Sequence, residues 1–167
     1  MSAEAKFRKL YEEMYNFCEE NNLGDPFVGS RGKEIHMAGL LGHKVNDTFS
    51  GADGVDEDGG CEYKTTILPH WKIKYQVSIQ STWKKQLDYL RHEKIVKYKN
   101  HYHARYEGGK VVELWKLSGE DVLKLLRPKL KRAYDNLKKT KHGSVSCPIL
   151  KAELCGQEIT SHGERII

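Results

Sequence analysis

The sequence predicts an α+β domain, and three stretches carry that reading. Trp71 to Ile79 alternates apolar Trp71, Ile73, Tyr75, Val77 and Ile79 with polar Lys72, Lys74, Gln76 and Ser78, the period of a strand half buried and half wet. Two strand-like runs, His101–Glu107 and Val111–Leu117, flank Gly108-Gly109, which is hairpin chemistry. Ser118 followed by Asp121 then opens a capped helix that carries Val122, Leu125, Leu126, Leu130, Ala133, Tyr134 and Leu137 on one side.

Taken in order, residues 3–22 read as a helix, because Phe7, Leu10, Tyr11, Met14, Phe17 and Cys18 recur at three- and four-residue steps between Ser2 and Gly24. Its apolar stripe serves either the core or a dimer interface. After a turn at Gly24-Asp25-Pro26, FVGSRGK (27–33) reads as a Gly-rich loop, and a second helix runs from about Gly32 to His43. Strands follow at 62–68 and 71–79, and 80–93 is open between a helical turn and an extended loop. Further strands are expected at 94–100, 101–107 and 111–117. Pro128 is expected to kink or restart the long helix. The end reads as a small hairpin of strands 148–154 and 156–160.

Composition bounds the function. With 167 residues, 38% hydrophobic and 31% charged, the chain suits one well-buried core and no membrane span. The N-terminus lacks an apolar leader core, and Cys18, Cys61, Cys147 and Cys155 show no metal or disulfide spacing; both point to a cytoplasmic protein with reduced thiols. The net charge of +5 is uneven, with acids gathered between Asp53 and Glu62 and a basic run from Lys124 to Lys141. A basic body around an acidic pocket fits a polyanion held broadly and cut locally.

That pocket is GADGVDEDGGCEYK (51–64), which holds Asp53, Asp56, Glu57, Asp58 and Glu62 and closes on Glu62-x-Lys64. Carboxylates this dense repel unless a cation sits among them, and hard divalent ions take such oxygen ligands. On a strand, Glu62 and Lys64 share a face, so a metal ligand and an ammonium converge on one point. The combination suits phosphodiester hydrolysis: a metal lowers the pKa of bound water, and the lysine orients that water or stabilises the oxyanion. His101-x-His103 also shares a strand face, but with no third ligand nearby it reads as structural or DNA-facing.

Glu-x-Lys alone recurs by chance in charged chains, so its surroundings matter. The 51–64 site, the preceding helix with its FVGSRGK loop, IVKYK (95–99), YEGGKVVELWKLSGEDV (106–122) and HGERII (162–167) together resemble, in order and spacing, the PvuII-like type II restriction endonucleases of the PD-(D/E)xK nuclease superfamily. The resemblance covers most of the chain. It implies a restriction-endonuclease-like fold, with a central mixed, mostly antiparallel sheet flanked by helices. A single nuclease domain over 1–167 would comprise a helical dimerisation region (1–45) and a catalytic and DNA-recognition region (46–167).

Carried over residue by residue, the resemblance implies Asp53 and Glu62 as ligands of one or two Mg²⁺ ions, Lys64 as catalytic lysine and Tyr98 as a tyrosine of the active site. The role of Asp56 is left open, and Glu57 and Asp58 are turn residues. It further implies a homodimer on double-stranded DNA that cuts a short palindrome and leaves 5′-phosphate ends, with a companion DNA methyltransferase acting on the same site. Alternatives within reach of the same residues are a phage or mobile-element nuclease, such as a junction resolvase or homing endonuclease, and a non-catalytic DNA-binding relative. The chain departs from the family pattern in three places. Only eight positions separate Asp53 from Glu62, one fewer than in the family; the 65–98 stretch is longer; and the segments that would read bases differ. DNA-contacting candidates there are Ser30 and Arg31 in the loop, Gln80, Ser81, Trp83, Lys84, Lys85 and Gln86 after the alternating strand, and Ser144 and Ser146 before Pro148. Lys84, Lys85, Arg91, Lys97 and Lys99 are candidate phosphate contacts.

Overall fold

Helix α1 (Ala3–Glu20) begins where the Ser2 hydroxyl accepts a hydrogen bond from the Ala5 backbone N–H at 3.3 Å, satisfying one of the donors a helix leaves open at its start. The structure, a computed structural model, describes residues 1–48, 50–140, 143–154 and 157–161. The HGERII segment and Cys155 therefore lie outside the described residues. Helix α2 (Arg31–Leu41) stops at Gly42, whose left-handed φ of 70° turns the chain so that the following His43 N–H reaches back to the Ala38 carbonyl at 2.9 Å.

Strands β1 (Lys44–Val45), β2 (Gly54–Asp56) and β3 (Gly59–Thr66) form a meander, and β4 (Lys72–Ser78) then leaves the sheet. After α3 (Trp83–Tyr89) and a π-helical turn (Leu90–Lys94) come β5 (Asn100–Glu107), β6 (Lys110–Ser118), α4 (Gly119–Thr140), β7 (Ser144–Leu150), a 3₁₀ turn (Lys151–Glu153) and β8 (Gln157–Ser161). The main sheet has the order β1-β2-β3-β5-β6-β8, in which only β3 and β5 run parallel; β4 and β7 pair in a second, two-stranded sheet. This is an α+β fold with a mixed, mostly antiparallel sheet. The β5–β6 hairpin forms as expected, with Gly108 and Gly109 both at positive φ (53° and 80°), the requirement of a two-residue primed turn.

Three expected features differ. Residues 94–100 are no strand below Asn100: Ile95 and Tyr98 are buried three positions apart, a turn spacing, and the Tyr98 N–H donates to the Ile95 carbonyl at 3.1 Å. Helix α4 packs directly on that turn, since a Cβ at Gly119 would stand 2.5 Å from the Tyr98 carbonyl oxygen. Pro128 does not restart α4, which runs unbroken from Gly119 to Thr140 with Leu126 and Leu130 on either side of the proline held in the core. The terminal strands do not form a hairpin with each other. β7 joins β4, setting Cys147 opposite Tyr75 and Ile149 opposite Ile73, whereas β8 joins β6.

The main sheet is buried on both faces. On one, Ile73, Tyr75 and Val77 of β4 pack with Leu117, Val122, Leu126, Leu130 and Ile149. On the other, Met37 and Ala38 of α2 pack with Cys61, Tyr63, Tyr102, Ala104 and Leu114. The α1 stripe belongs to neither, since Phe7, Leu10, Tyr11, Met14 and Phe17 are exposed and only Cys18 is buried. Cys18, Cys61 and Cys147 are free thiols. Among the described residues no helix is long and apolar enough to cross a membrane.

Candidate active site

Strand alternation along β3 sends Glu62 and Lys64 to the face covered by β4, and Cys61 and Tyr63 to the face covered by α2. Parallel pairing with β5 sets His101 beside Glu62 and His103 beside Lys64. Asp53 arrives from the loop just before β2. Its backbone N–H donates to the Cys61 carbonyl at 3.0 Å, and its Oδ2 accepts from the Tyr63 N–H at 2.8 Å, so the side chain is pinned against β3.

The three functional groups meet. Lys64 Nζ stands 3.6 Å from Asp53 Oδ2, donates to Glu62 Oε1, and donates to the Tyr63 carbonyl at 3.1 Å. The chain between Asp53 and Glu62 reverses through a two-residue turn at Glu57-Asp58. There Asp56 pairs with Gly59, and Asp56 Oδ1 accepts from the Asp58 N–H at 2.9 Å. β2 crosses so close to β3 that a Cβ on Gly54 would lie 2.3 Å from the Tyr63 hydroxyl, so only glycine fits there.

The charges do not balance: two carboxylates share one ammonium. Burial raises the Asp53 pKa above the usual carboxylate value, and repulsion from Glu62 adds to this against the pull of Lys64. Burial alone would lower Lys64, but the Glu62 and Asp53 charges outweigh it and hold the ammonium above its ordinary pKa. Lys64 is therefore a cation at neutral pH. The donor set of Asp53 and Glu62 is all oxygen, negatively charged and short of positive charge, which fits a hard divalent ion.

Tyr98 is buried beside this group: its ring lies 3.7 Å from where a Gly60 Cβ would stand, and burial, then the Glu62 and Asp53 charges, raise its hydroxyl pKa. The two histidines are wholly inside. Tyr75 of β4 sets its hydroxyl between them, 2.8 Å from His101 Nδ1 and 2.7 Å from His103 Nε2. Of the two readings open to His101 and His103, structural and DNA-facing, their burial selects the first. Tyr75 was legible only as an inward residue of the alternating strand; nothing in its spacing showed that it meets histidines or lies under Lys64.

The residues expected at DNA divide. Ser30, Ser81, Lys84, Lys85, Ser144 and Ser146 are exposed, and Gln80 is half-buried. Arg31 is not available: its side chain is buried, with Nη2 and Nε donating to the Asn46 and Leu23 carbonyls and Nη1 3.5 Å from Glu34. Gln86 is likewise buried, accepting from the Gln80 N–H at 2.8 Å and donating to the Ser78 carbonyl at 3.1 Å, which ties the 79–82 loop to α3. Trp83 is half-buried edge-on to Tyr134, with Lys131 5.5 Å above its ring. Of the phosphate candidates, Lys84, Lys85 and Lys97 are exposed, while Arg91 pairs with Glu120 and Lys99 with Asp58.

The opposite face of β3 holds a second polar group. Ligand-capable atoms of His43, Asp56 and Glu57 lie within 4.8 Å of one another. These carboxylates are already partnered: Asp56 accepts from Asn100 and Tyr102 at 2.8 and 3.0 Å, and Glu57 accepts from Lys116 at 3.1 Å. Lys116 supplies the positive charge beside Glu57. In comparison with known proteins, the chain matches no family model and no curated sequence.

Proposed function

We infer that the chain is a Mg²⁺-dependent type II restriction endonuclease, hydrolysing phosphodiester bonds of double-stranded DNA at a short palindromic site and leaving 5′-phosphate ends. One observation carries the reading: Asp53, Glu62 and Lys64, drawn from two segments, converge so that Lys64 Nζ touches both carboxylates on a face with an unbalanced negative charge. Asp53 and Glu62 would hold one or two Mg²⁺ ions, which when bound neutralise phosphate charge and lower the pKa of a coordinated water. Lys64, fixed by the Tyr63 carbonyl and held protonated, donates toward the attacking water and the developing oxyanion, so its role is orientation and charge stabilisation. Tyr98, whose hydroxyl feels the Glu62 and Asp53 charges, would be the tyrosine of this site.

Exposed Lys84, Lys85 and Lys97 are suited to phosphate contacts, with Ser81, Ser144 and Ser146 on exposed ground for base or backbone contact. The exposed stripe of Phe7, Leu10, Met14 and Phe17 supports a homodimer, since a second copy would bury it. Such an enzyme works beside a methyltransferase that protects the same site.

Digestion of a mapped genome with Mg²⁺ tests the reading. Discrete fragments with sequenced, identical ends are expected. Lys64→Ala and Asp53→Ala should abolish cleavage and leave DNA binding largely intact. Full activity in either variant would end the assignment, cutting confined to branched DNA would move it to a resolvase, and binding without any cutting would leave a non-catalytic relative.

A further inference from the structure

The hydrogens of the Tyr75–His101–His103 group can be placed from chemistry alone. His101 Nε2 lies 2.9 Å from the Ile95 carbonyl, which only accepts, so Nε2 carries the proton. Burial keeps His101 neutral, so its Nδ1 is a bare lone pair and the Tyr75 O–H must donate to it. The remaining lone pair on the Tyr75 oxygen then takes the His103 Nε2–H, and His103, also kept neutral by burial, has its Nδ1 without a hydrogen-bond partner. The order has one solution, His103 to Tyr75 to His101 to the Ile95 carbonyl, and it fixes both position and tilt of the Tyr75 ring.

That ring lies beneath Lys64, whose Nζ stands 5.8 Å from its centroid, within range of a cation–π contact. The same β5 strand that supplies the two histidines pairs in parallel with β3, so ring and ammonium are referenced to one register. We propose that Tyr75 is a positioning residue for Lys64: clamped by His101 and His103, its ring confines the ammonium to the point where it meets Asp53 and Glu62. This rests on the nuclease reading for its consequence and on geometry for its substance.

The test uses the full chain. In single-turnover cleavage of plasmid DNA with saturating Mg²⁺, well below the melting temperature, Tyr75→Leu should lower the rate constant on the order of tenfold or more, and Tyr75→Phe less, because the ring remains. DNA affinity measured in EDTA should be unchanged in both. Independently of activity, NMR of the Lys64 Cε methylene, assigned by its loss in Lys64→Arg, should show an upfield ring-current shift in wild type that is reduced in Tyr75→Phe, whose ring has lost its clamp, and lost in Tyr75→Leu. An unchanged rate in the folded variants, or a Lys64 resonance indifferent to the ring, overturns the proposal. If Tyr75→Leu does not fold, Tyr75→Phe decides: removing the clamping oxygen must move both the Lys64 resonance and the rate, and a Tyr75→Phe that matches wild type in either overturns it. If wild type cuts no DNA, the nuclease reading fails, and the NMR arm still decides whether Tyr75 holds Lys64.

Discussion

The two faces of β3 are made from alternate residues of one strand, yet they hold their acids in different ways. Toward β4, Glu62 and Lys64 meet Asp53 with more negative charge than one ammonium can neutralise. Toward α2, Tyr63 lies near Asp56 and Glu57, each of which already has its donors or its lysine. Both faces are rich in carboxylates, but on the α2 side neutral donors hold Asp56 and a lysine holds Glu57, whereas on the β4 side the two acids compete for one ammonium. The presence of acids therefore says little about chemistry; what matters is whether the fold has already satisfied them.

The sharpest way to break that contrast is to remove one group from each face. Lys64→Ala should lower Mg²⁺-dependent cleavage on the order of 10³-fold or more, about 4 kcal/mol of transition-state stabilisation. Lys116→Ala, which removes the corresponding ammonium from the other face, should leave the cleavage rate within about threefold, the scale of an exposed ion pair. Comparable losses in the two variants, read from single-turnover rates, would erase the distinction.

Next in size is an acid-dependent loss of stability from the β4 side. His101 has its pKa lowered from 6.5 to about 4 by burial. Between those values the unfolded chain binds a proton that the folded chain refuses, so this contribution is fully present above pH 6.5 and lost as pH falls toward 4. The loss amounts to about 3 kcal/mol. Asp53, with its pKa raised, pulls in the opposite direction over part of the window. His101→Asn isolates the histidine: the stability gap between wild type and variant, from urea unfolding, should narrow from pH 6.5 to 4. A constant gap would mean that His101 is not held neutral.

How much of this could be read beforehand varied with the kind of residue. Glu62 and Lys64 on a common face follow from strand period alone, and the Gly108-Gly109 hairpin from turn chemistry. Asp53 came from the family resemblance, because its place depends on two backbone hydrogen bonds to Cys61 and Tyr63 that no local pattern announces. IVKYK was misread as a strand because apolar residues at 95, 96 and 98 fit a short strand as well as a turn, and the close approach of Gly119 decided for the turn. Arg31 and Gln86 were misplaced for one reason. A long polar side chain is buried when distant carbonyls, here of Leu23, Asn46 and Ser78, happen to lie within its reach, and sequence does not carry that information.

On the satisfied face the effect should fall on stability instead of rate. Asp56→Ala strands the Tyr102 hydroxyl, in a buried residue, whereas the Asn100 amide keeps its bond to Asp58 at 3.0 Å. An unpaired buried donor costs about 1–3 kcal/mol, so a loss of about 2 kcal/mol is expected, or roughly 4–8 °C in Tm for a chain of this size. The cleavage rate at 20 °C below that Tm should change by less than about threefold. A large rate loss with unchanged Tm would bring Asp56 into the active site.

The smallest effect is the most discriminating, because it asks which face binds metal without requiring cleavage. At tenfold excess over its Kd, Mg²⁺ should stabilise the folded chain by about 1.4 kcal/mol, or roughly 3–6 °C in Tm. Asp53→Asn should abolish this shift. In EDTA the same variant should be no less stable than wild type, because burial disfavours the ionised carboxylate that the substitution removes. His43→Ala and Asp56→Asn should leave the Mg²⁺ shift intact, since Lys116 already supplies the positive charge on that side. A shift that survives Asp53→Asn and vanishes in Asp56→Asn would put the metal on the opposite face of β3, and Asp53, Glu62 and Lys64 would then be an ion pair cluster of the fold.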